Sequence, residues 1–165
     1  MARRYWLMKS DPDTFGLEQL RAAPERTTPW DGVRNFQARN YLRDEVRVGD
    51  AVLFYHSQWK PPAVVATARV VCAGYPDPTQ FDPEAPGHDP KSTREKPRWF
   101  AVDVQLDREL RRPVSLPEIR ETPGLENMIL VRRGRLSVQP VTADEWRIVT
   151  RLGGLRRKGA NVHEP

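Results

Sequence analysis

The apolar residues of this chain fall into short runs, and that spacing constrains its fold more than any other feature. Tyr5-Trp6-Leu7-Met8, Ala51 to His56, Ala63 to Ala73, Trp99 to Leu106 and Arg135 to Gln139 have the length of strands, and most are rich in β-branched or aromatic residues. Between them lie prolines, turns and short helical stretches. The long amphipathic crossovers that a doubly wound parallel sheet needs are missing. The expectation is a small curved sheet or barrel of about five strands, decorated by short helices. A length of 165 residues suits one domain with one sizeable core.

The punctuation between the runs is specific. Lys9-Ser10-Asp11-Pro12 stops the first strand, and Phe15, Leu17 and Leu20 predict a helix over roughly 14–22. Residues 23–33 read as a loop, and Asn35 as the N-cap of a helix from Phe36 to Arg43. Gly49-Asp50 is a turn, and Pro61-Pro62 breaks the chain before the third strand. Residues 74–97, with prolines at 76, 78, 83, 86, 90 and 97, form a long irregular segment of the kind that is usually functional or mobile. Residues 122–130 predict one more helical turn and a loop. Ser115-Leu116-Pro117-Glu118 and Thr142-Ala143-Asp144-Glu145 are capping-box patterns, the second opening a helix that ends near Leu152. The domain is therefore expected over 1–152, with 153–165 as a flexible basic tail.

Charge and composition exclude several functions. Lys and Arg number 27 against 22 Asp and Glu, giving +5 and a pI near 9.7, and 22 of those cations are arginine. Arginine's planar fork suits phosphates and base edges, so a polyanion is the natural partner class, although an arginine-rich codon bias would give the same surplus. No apolar run reaches the length of a membrane span and no secretory signal is visible. A cytoplasmic location is expected, or a nuclear one where the source has a nucleus. The single cysteine, Cys72, excludes an intrachain disulfide and reads as a small buried hydrophobe. His56, His88 and His163 are scattered, so no metal is expected. Nucleophile elbows, phosphate loops and dinucleotide fingerprints are all missing, so neither a catalytic residue nor a cofactor is expected.

Polar residues cluster at strand ends, where sites commonly lie. Lys9-Ser10-Asp11, Trp30 to Asn35, Tyr55-His56-Ser57 and Arg135-Leu136-Ser137 are the candidates. Each has a plain alternative: Asp11 as a turn residue, Asn35 as a helix cap, His56-Ser57 as a solvated strand end, Arg135 as half of a surface ion pair. Trp30, between Pro29 and Asp31, is either a plug over the core or an exposed stacking platform.

Longer segments narrow the choice. YWLMKSDP, WDGVRNFQARNYLRDEVRVGDAVLFYHS, YPDPTQFDP, PRWFAVDV and RGRLSVQPVTADEW together resemble the EVE domain family, in its standalone bacterial form, over about residues 3–152. The resemblance implies an α+β fold of the PUA-like type, a small mixed β-barrel of five to six strands surrounded by short helices. It also implies kinship with the YTH readers of methylated adenine. The implied function is non-catalytic recognition of a modified base in DNA or RNA: methylated or hydroxymethylated cytosine, or modified adenine. A monomer without cofactor is expected.

Carried over by position, Lys9, Ser10 and Asp11 stand where the family keeps Lys-Ser-Glu, the aspartate being one methylene shorter. Trp30 is the implied wall of the base pocket, and Asp31, Gly32, Val33, Arg34 and Asn35 complete its stretch. Tyr55, His56 and Ser57, then Tyr75 and Asp77, then Arg135 and Ser137 match further motifs. Gly134 replaces a common serine, and Ala63 and Ala66 replace common glycines. Arg34, Arg39, Arg43 and Arg135 are placed to hold flanking phosphates. Two other readings stay open: a nucleic-acid enzyme using Lys9, Tyr55 and His56, and a pocket for a free metabolite.

Overall fold

A computed structural model describes residues 2–155. Six strands form one mixed sheet: β1 (Tyr5–Ser10), β2 (Thr27–Trp30), β3 (Ala51–His56), β4 (Ala63–Pro76), β5 (Phe100–Ser115) and β6 (Val138–Val141). Their hydrogen-bonded order is β2-β5-β4-β3-β1-β6. Among the described residues only the interior pair β1 and β3 is parallel, with Tyr5 beside Ala51 and Ser10 beside His56.

Period-two alternation sends side chains to two cores. Trp6, Met8, Val52 and Phe54 join a cluster on one face, together with Leu20 of α1 (Leu17–Ala22) and Ala38 of α2 (Phe36–Asn40). Leu42, from the π-helical turn Tyr41–Glu45 that continues α2, completes that cover. Leu7, Leu53 and Tyr55 face the other way, beneath α3 (Leu116–Glu121), α4 (Ile129–Arg132) and α5 (Ala143–Leu152). β3 is buried at every position because both of its faces are covered.

Trp30 of β2 and Val138 of β6 come from opposite edges of the sheet yet share the first cluster. The sheet therefore curls around that core. It does not close: the expected barrel is an open six-stranded sheet of the same α+β class. Both edges are four residues long, and each carries a proline, Pro29 and Pro140, that removes a hydrogen-bond donor.

Several elements differ from expectation. β2 occupies a segment that reads as loop. The helix expected over 14–22 begins only at Leu17, and the one expected over 36–43 leaves regular geometry after Asn40. Cys72 is exposed rather than buried. Pairing of β4 with β3 ends at Arg69, and the bulged segment beyond it, Val71 to Gly74, lies open to solvent. Two predicted caps are complete: Asn35 Oδ1 accepts from the Ala38 amide at 2.9 Å, and Thr142 and Glu145 form a reciprocal box at 3.1 and 3.0 Å. The box predicted at Ser115 forms by half: Ser115 Oγ accepts from the Glu118 amide at 3.3 Å, while the Glu118 carboxylate turns to Arg112. Of the expected tail, Gly153 is buried and accepts a hydrogen bond from the Arg111 amide at 2.8 Å. Its remainder, 156–165, lies outside the described residues.

The long segment 74–97 is pinned from within. Gln80 is fully buried; its amide donates to the carbonyls of Asp77 and Trp99, and its oxygen accepts from Ser92 Oγ and the amides of Arg98 and Trp99. The indole of Trp99 donates to Asp89 at 2.7 Å.

Candidate functional site

Parallel pairing puts the C-terminal ends of β1 and β3 side by side, and the Ser57 amide donates to the Ser10 carbonyl at 2.9 Å. A cavity of about 430 Å³ opens at this end of the sheet, within the usual range for small-ligand pockets. Lys9, Ser10 and Asp11 form one wall, Thr14 and Phe15 a second, and Thr28 to Asp31 a third.

Of its two readings, Trp30 takes the core one, with one side left facing the cavity. It is 7% exposed and packs edge-on against Phe54 at 5.6 Å, so it belongs to the core. Its remaining surface lines the cavity. Asp31 follows on the rim. Its carboxyl is raised above the ordinary range, first by loss of solvent and then by repulsion from Asp77 and Asp103. Opposite in charge, Lys9 reaches the Gly134 carbonyl, stands 5.7 Å from the Tyr55 ring centre, and is lowered from its ordinary value by burial. Ser10 Oγ donates to the Phe15 carbonyl, and Asp11 accepts from the Asp13 amide at 2.9 Å, which fixes the turn into α1.

The other expected residues support this cavity without lining it. Asp77 is fully buried and accepts from the Gly32 amide at 2.8 Å, Arg34 at 3.0 Å and both donors of Thr79. Burial alone would raise its carboxyl; the hydrogen bonds outweigh burial and hold it below the usual range. Gly32 has φ of +76°, a left-handed conformation that favours glycine and turns its N–H toward Asp77. Arg34 also donates to the carbonyls of Val33 and Gly87, so it is spent on clamping the loop after Trp30 to the 77–87 segment. Val33 is core, and Asn35 is a cap. Tyr75 donates to Asp103 at 2.5 Å, and its phenol is raised first by burial and then by that bond.

Tyr55 and His56 are likewise interior. The Tyr55 phenol lies in the second core and is pushed up to about 12 by burial. His56 Nε2 accepts from the Leu17 amide at 3.1 Å, which leaves the proton of the neutral ring on Nδ1. Burial lowers its pKa. His56 lines a second cavity of about 400 Å³ with Trp59, across the 12–17 turn from the first. Arg135 is exposed on the segment before β6, and the Ser137 carbonyl accepts from the Lys9 amide at 2.9 Å. Gly134 has open space where a Cβ would stand, so its replacement of serine leaves the backbone unstrained.

Thr14, Phe15, Thr28 and Pro29 line the cavity but did not stand out in the sequence. The latter two were hidden because a proline in a four-residue edge strand reads as loop. Among the described residues, no helix is long and apolar enough to cross a membrane, and no group of three or more His, Cys, Asp or Glu is placed to hold a metal ion.

Comparison with known proteins agrees with this architecture. Thymocyte nuclear protein 1 of Homo sapiens is 42% identical over 165 residues, covering 90% of this chain and 73% of that protein. The crystal structure of the human THYN1 protein in complex with 5-methylcytosine-containing DNA superposes with a TM-score of 0.86 at 40% identity, over 93% of this chain and 99% of that one. A protein from Pseudomonas syringae gives 0.84 at 41% identity, over 90% and 99%. The YTH domain of Zygosaccharomyces rouxii MRB1, solved with N6-methyladenosine RNA, shares the fold at a TM-score of 0.54 and 15% identity, over 98% and 90%. The EVE domain profile matches residues 4–152, and with that extent and these identities the chain belongs to the EVE domain family.

Proposed function

We propose that this chain is a non-catalytic reader of a modified base in nucleic acid, with 5-methylcytosine as the first candidate, and that one unstacked nucleotide enters the cavity at Trp30. The observation that carries this reading is the joining of an aromatic surface, an acid and a cation in one cavity of about 430 Å³. The human relative solved with 5-methylcytosine-containing DNA supports the choice of base.

The energetics favour such a device. Unstacking a base costs a few kcal/mol, least for a single strand. Contact with an aromatic surface returns about 1–3 kcal/mol. A buried methyl contributes only about 0.8 kcal/mol by area, so methyl selectivity needs a close fit. Methylcytosine differs from thymine at position 4, where an amine replaces a carbonyl. The Asp31 carboxylate accepts from that amine and repels that carbonyl, while Lys9 donates to a base acceptor.

Acid–base chemistry has little support here. His56 Nε2 is occupied by the Leu17 amide, and the Tyr55 phenol is buried and held at about 12. The experiment is tryptophan fluorescence titration with single-stranded oligonucleotides carrying 5-methylcytosine, cytosine or thymine at one position, at two salt concentrations. Preference for methylcytosine over both twins at each salt is expected. Equal affinities that vanish together at high salt would overturn the reading.

A further inference from the structure

α2 leaves the loop of the candidate pocket carrying a large aromatic on its outside. Phe36 is 49% exposed, yet its ring is stacked on Trp99 with centroids 4.8 Å apart and planes at 27°. Two guanidiniums attend the same ring: Arg39 at 4.9 Å from its centre and Arg98 at 5.6 Å. A third, Arg43, lies 5.9 Å from the ring of Phe100. Arg39 and Arg43 lie about one helical turn apart, and the fold brings Arg98 to them from a distant part of the sequence.

Like charges so gathered repel. Arg39 is lowered from its ordinary value first by desolvation, then by Arg43, with Arg98 adding to the effect. The available acids relieve this only in part. Arg39 donates from Nη1 to the Arg98 carbonyl at 2.6 Å and from Nε to Asn40 at 2.8 Å, both uncharged acceptors that leave its charge unneutralised. Arg98 has Asp89 at a long 3.4 Å, and that carboxylate is shared with the Trp99 indole. Arg43 pairs with its exposed neighbour Asp44, a contact of little energetic worth in water. Aromatic rings hold the guanidiniums over a surface, and a partner with closely spaced negative charges would neutralise them.

We infer that Phe36, Arg39, Arg43 and Arg98 form a phosphate-backbone track, which grips the nucleotides flanking the one seated at Trp30. The inference rests on the reading of the ligand as nucleic acid. Phe36 lies only six positions after Trp30, and even fully extended that stretch spans about 20 Å, the reach of a few nucleotides. Arg34, expected to share this task, is withheld from it by Asp77 and Gly87. Arg98 takes its place. The track supplies affinity without sequence information, since phosphates are alike along a strand.

The test is the salt dependence of binding, with a single-stranded oligonucleotide carrying one 5-methylcytosine and its unmodified twin. In Arg39→Gln/Arg98→Gln, loss of two phosphate contacts should lower the magnitude of the log–log salt slope by about 1.4 for both oligonucleotides. The methylated-to-unmethylated affinity ratio should stay within about twofold, because the track sees phosphates only. Thermal unfolding confirms that the variant folds. If it does not, Asp44→Asn serves instead: it frees Arg43 and should steepen the slope for both twins. An unchanged slope in every folded variant overturns the track. So does a weakening seen with polyglutamate but not with the oligonucleotides, which would assign the patch to an acidic protein. Loss of the methylation ratio already in the unaltered protein would instead strike the base-reading proposal and leave the slope comparison standing.

Discussion

Asp31 is placed against stability, and the proposed reading gives that placement a purpose in binding. Its folded carboxyl holds its proton more tightly than the unfolded one, because solvent is withdrawn and Asp77 and Asp103 repel its charge. The folded state therefore binds more protons across the shifted window, and stability is lost as pH rises through it. Asp31→Asn cannot ionise. Its melting temperature should exceed that of the parent at pH 7 and converge with it near pH 3, below the ordinary carboxylate value of 3.8. The same change should cost selectivity. An amide both donates and accepts, so the preference for methylcytosine over thymine should shrink, by an amount on the order of the ~1–3 kcal/mol that one base contact carries. An unchanged ratio in paired titrations would remove Asp31 from base recognition. Asp31 was legible in the sequence from its motif. The role of Asp77 beside it was not: only the fold shows a buried carboxylate tying Gly32, Arg34 and Thr79 into one support.

At the scale of elements, the strands and caps were written locally, and the pairing between them was not. Thr142 and Glu145 define the start of α5 through neighbours three residues apart, which a sequence displays. β2 depends on β5, some seventy-five residues away, and Pro29 hides it. Cys72 reads as interior because nothing local reveals that β4 outruns its partner β3. The same long-range logic joins α1 to β3 through His56, whose Nε2 must be unprotonated to accept from the Leu17 amide. Burial lowers the folded pKa of this histidine below its ordinary 6.5. The unfolded state then takes up protons first, so the stability His56 confers is present above about 6.5 and is lost as pH falls. Denaturant unfolding between pH 7 and 5 should show this loss, and His56→Phe should flatten it from a lower starting stability, its Leu17 amide left without an acceptor. Equal slopes in parent and variant would place the proton uptake elsewhere.

The whole molecule ties the pocket to the core through Trp30, which packs on Phe54 and lines the cavity at once. A sequence could only offer these as rivals, since a tryptophan in a proline-rich stretch has no periodic neighbours to declare its burial. One consequence is that Trp30→Ala cannot test binding cleanly: removing so large a buried side chain costs about 3–5 kcal/mol and threatens the fold itself. Another is that ligand and stability are linked. A ligand that binds only the folded state at one hundred times its Kd adds about 2.7 kcal/mol. For a domain of this size, each kcal/mol raises the melting temperature by roughly 2–4 °C, so a rise of about 5–11 °C is expected. A methylcytosine oligonucleotide should give that rise at a concentration where its unmethylated twin gives a smaller one. Trp30→Phe, which keeps an aromatic ring against Phe54, should fold and show a reduced rise with the methylated strand. A full rise in that variant would mean that the indole serves the core alone, and that the base is held by the polar walls of Lys9 and Asp31.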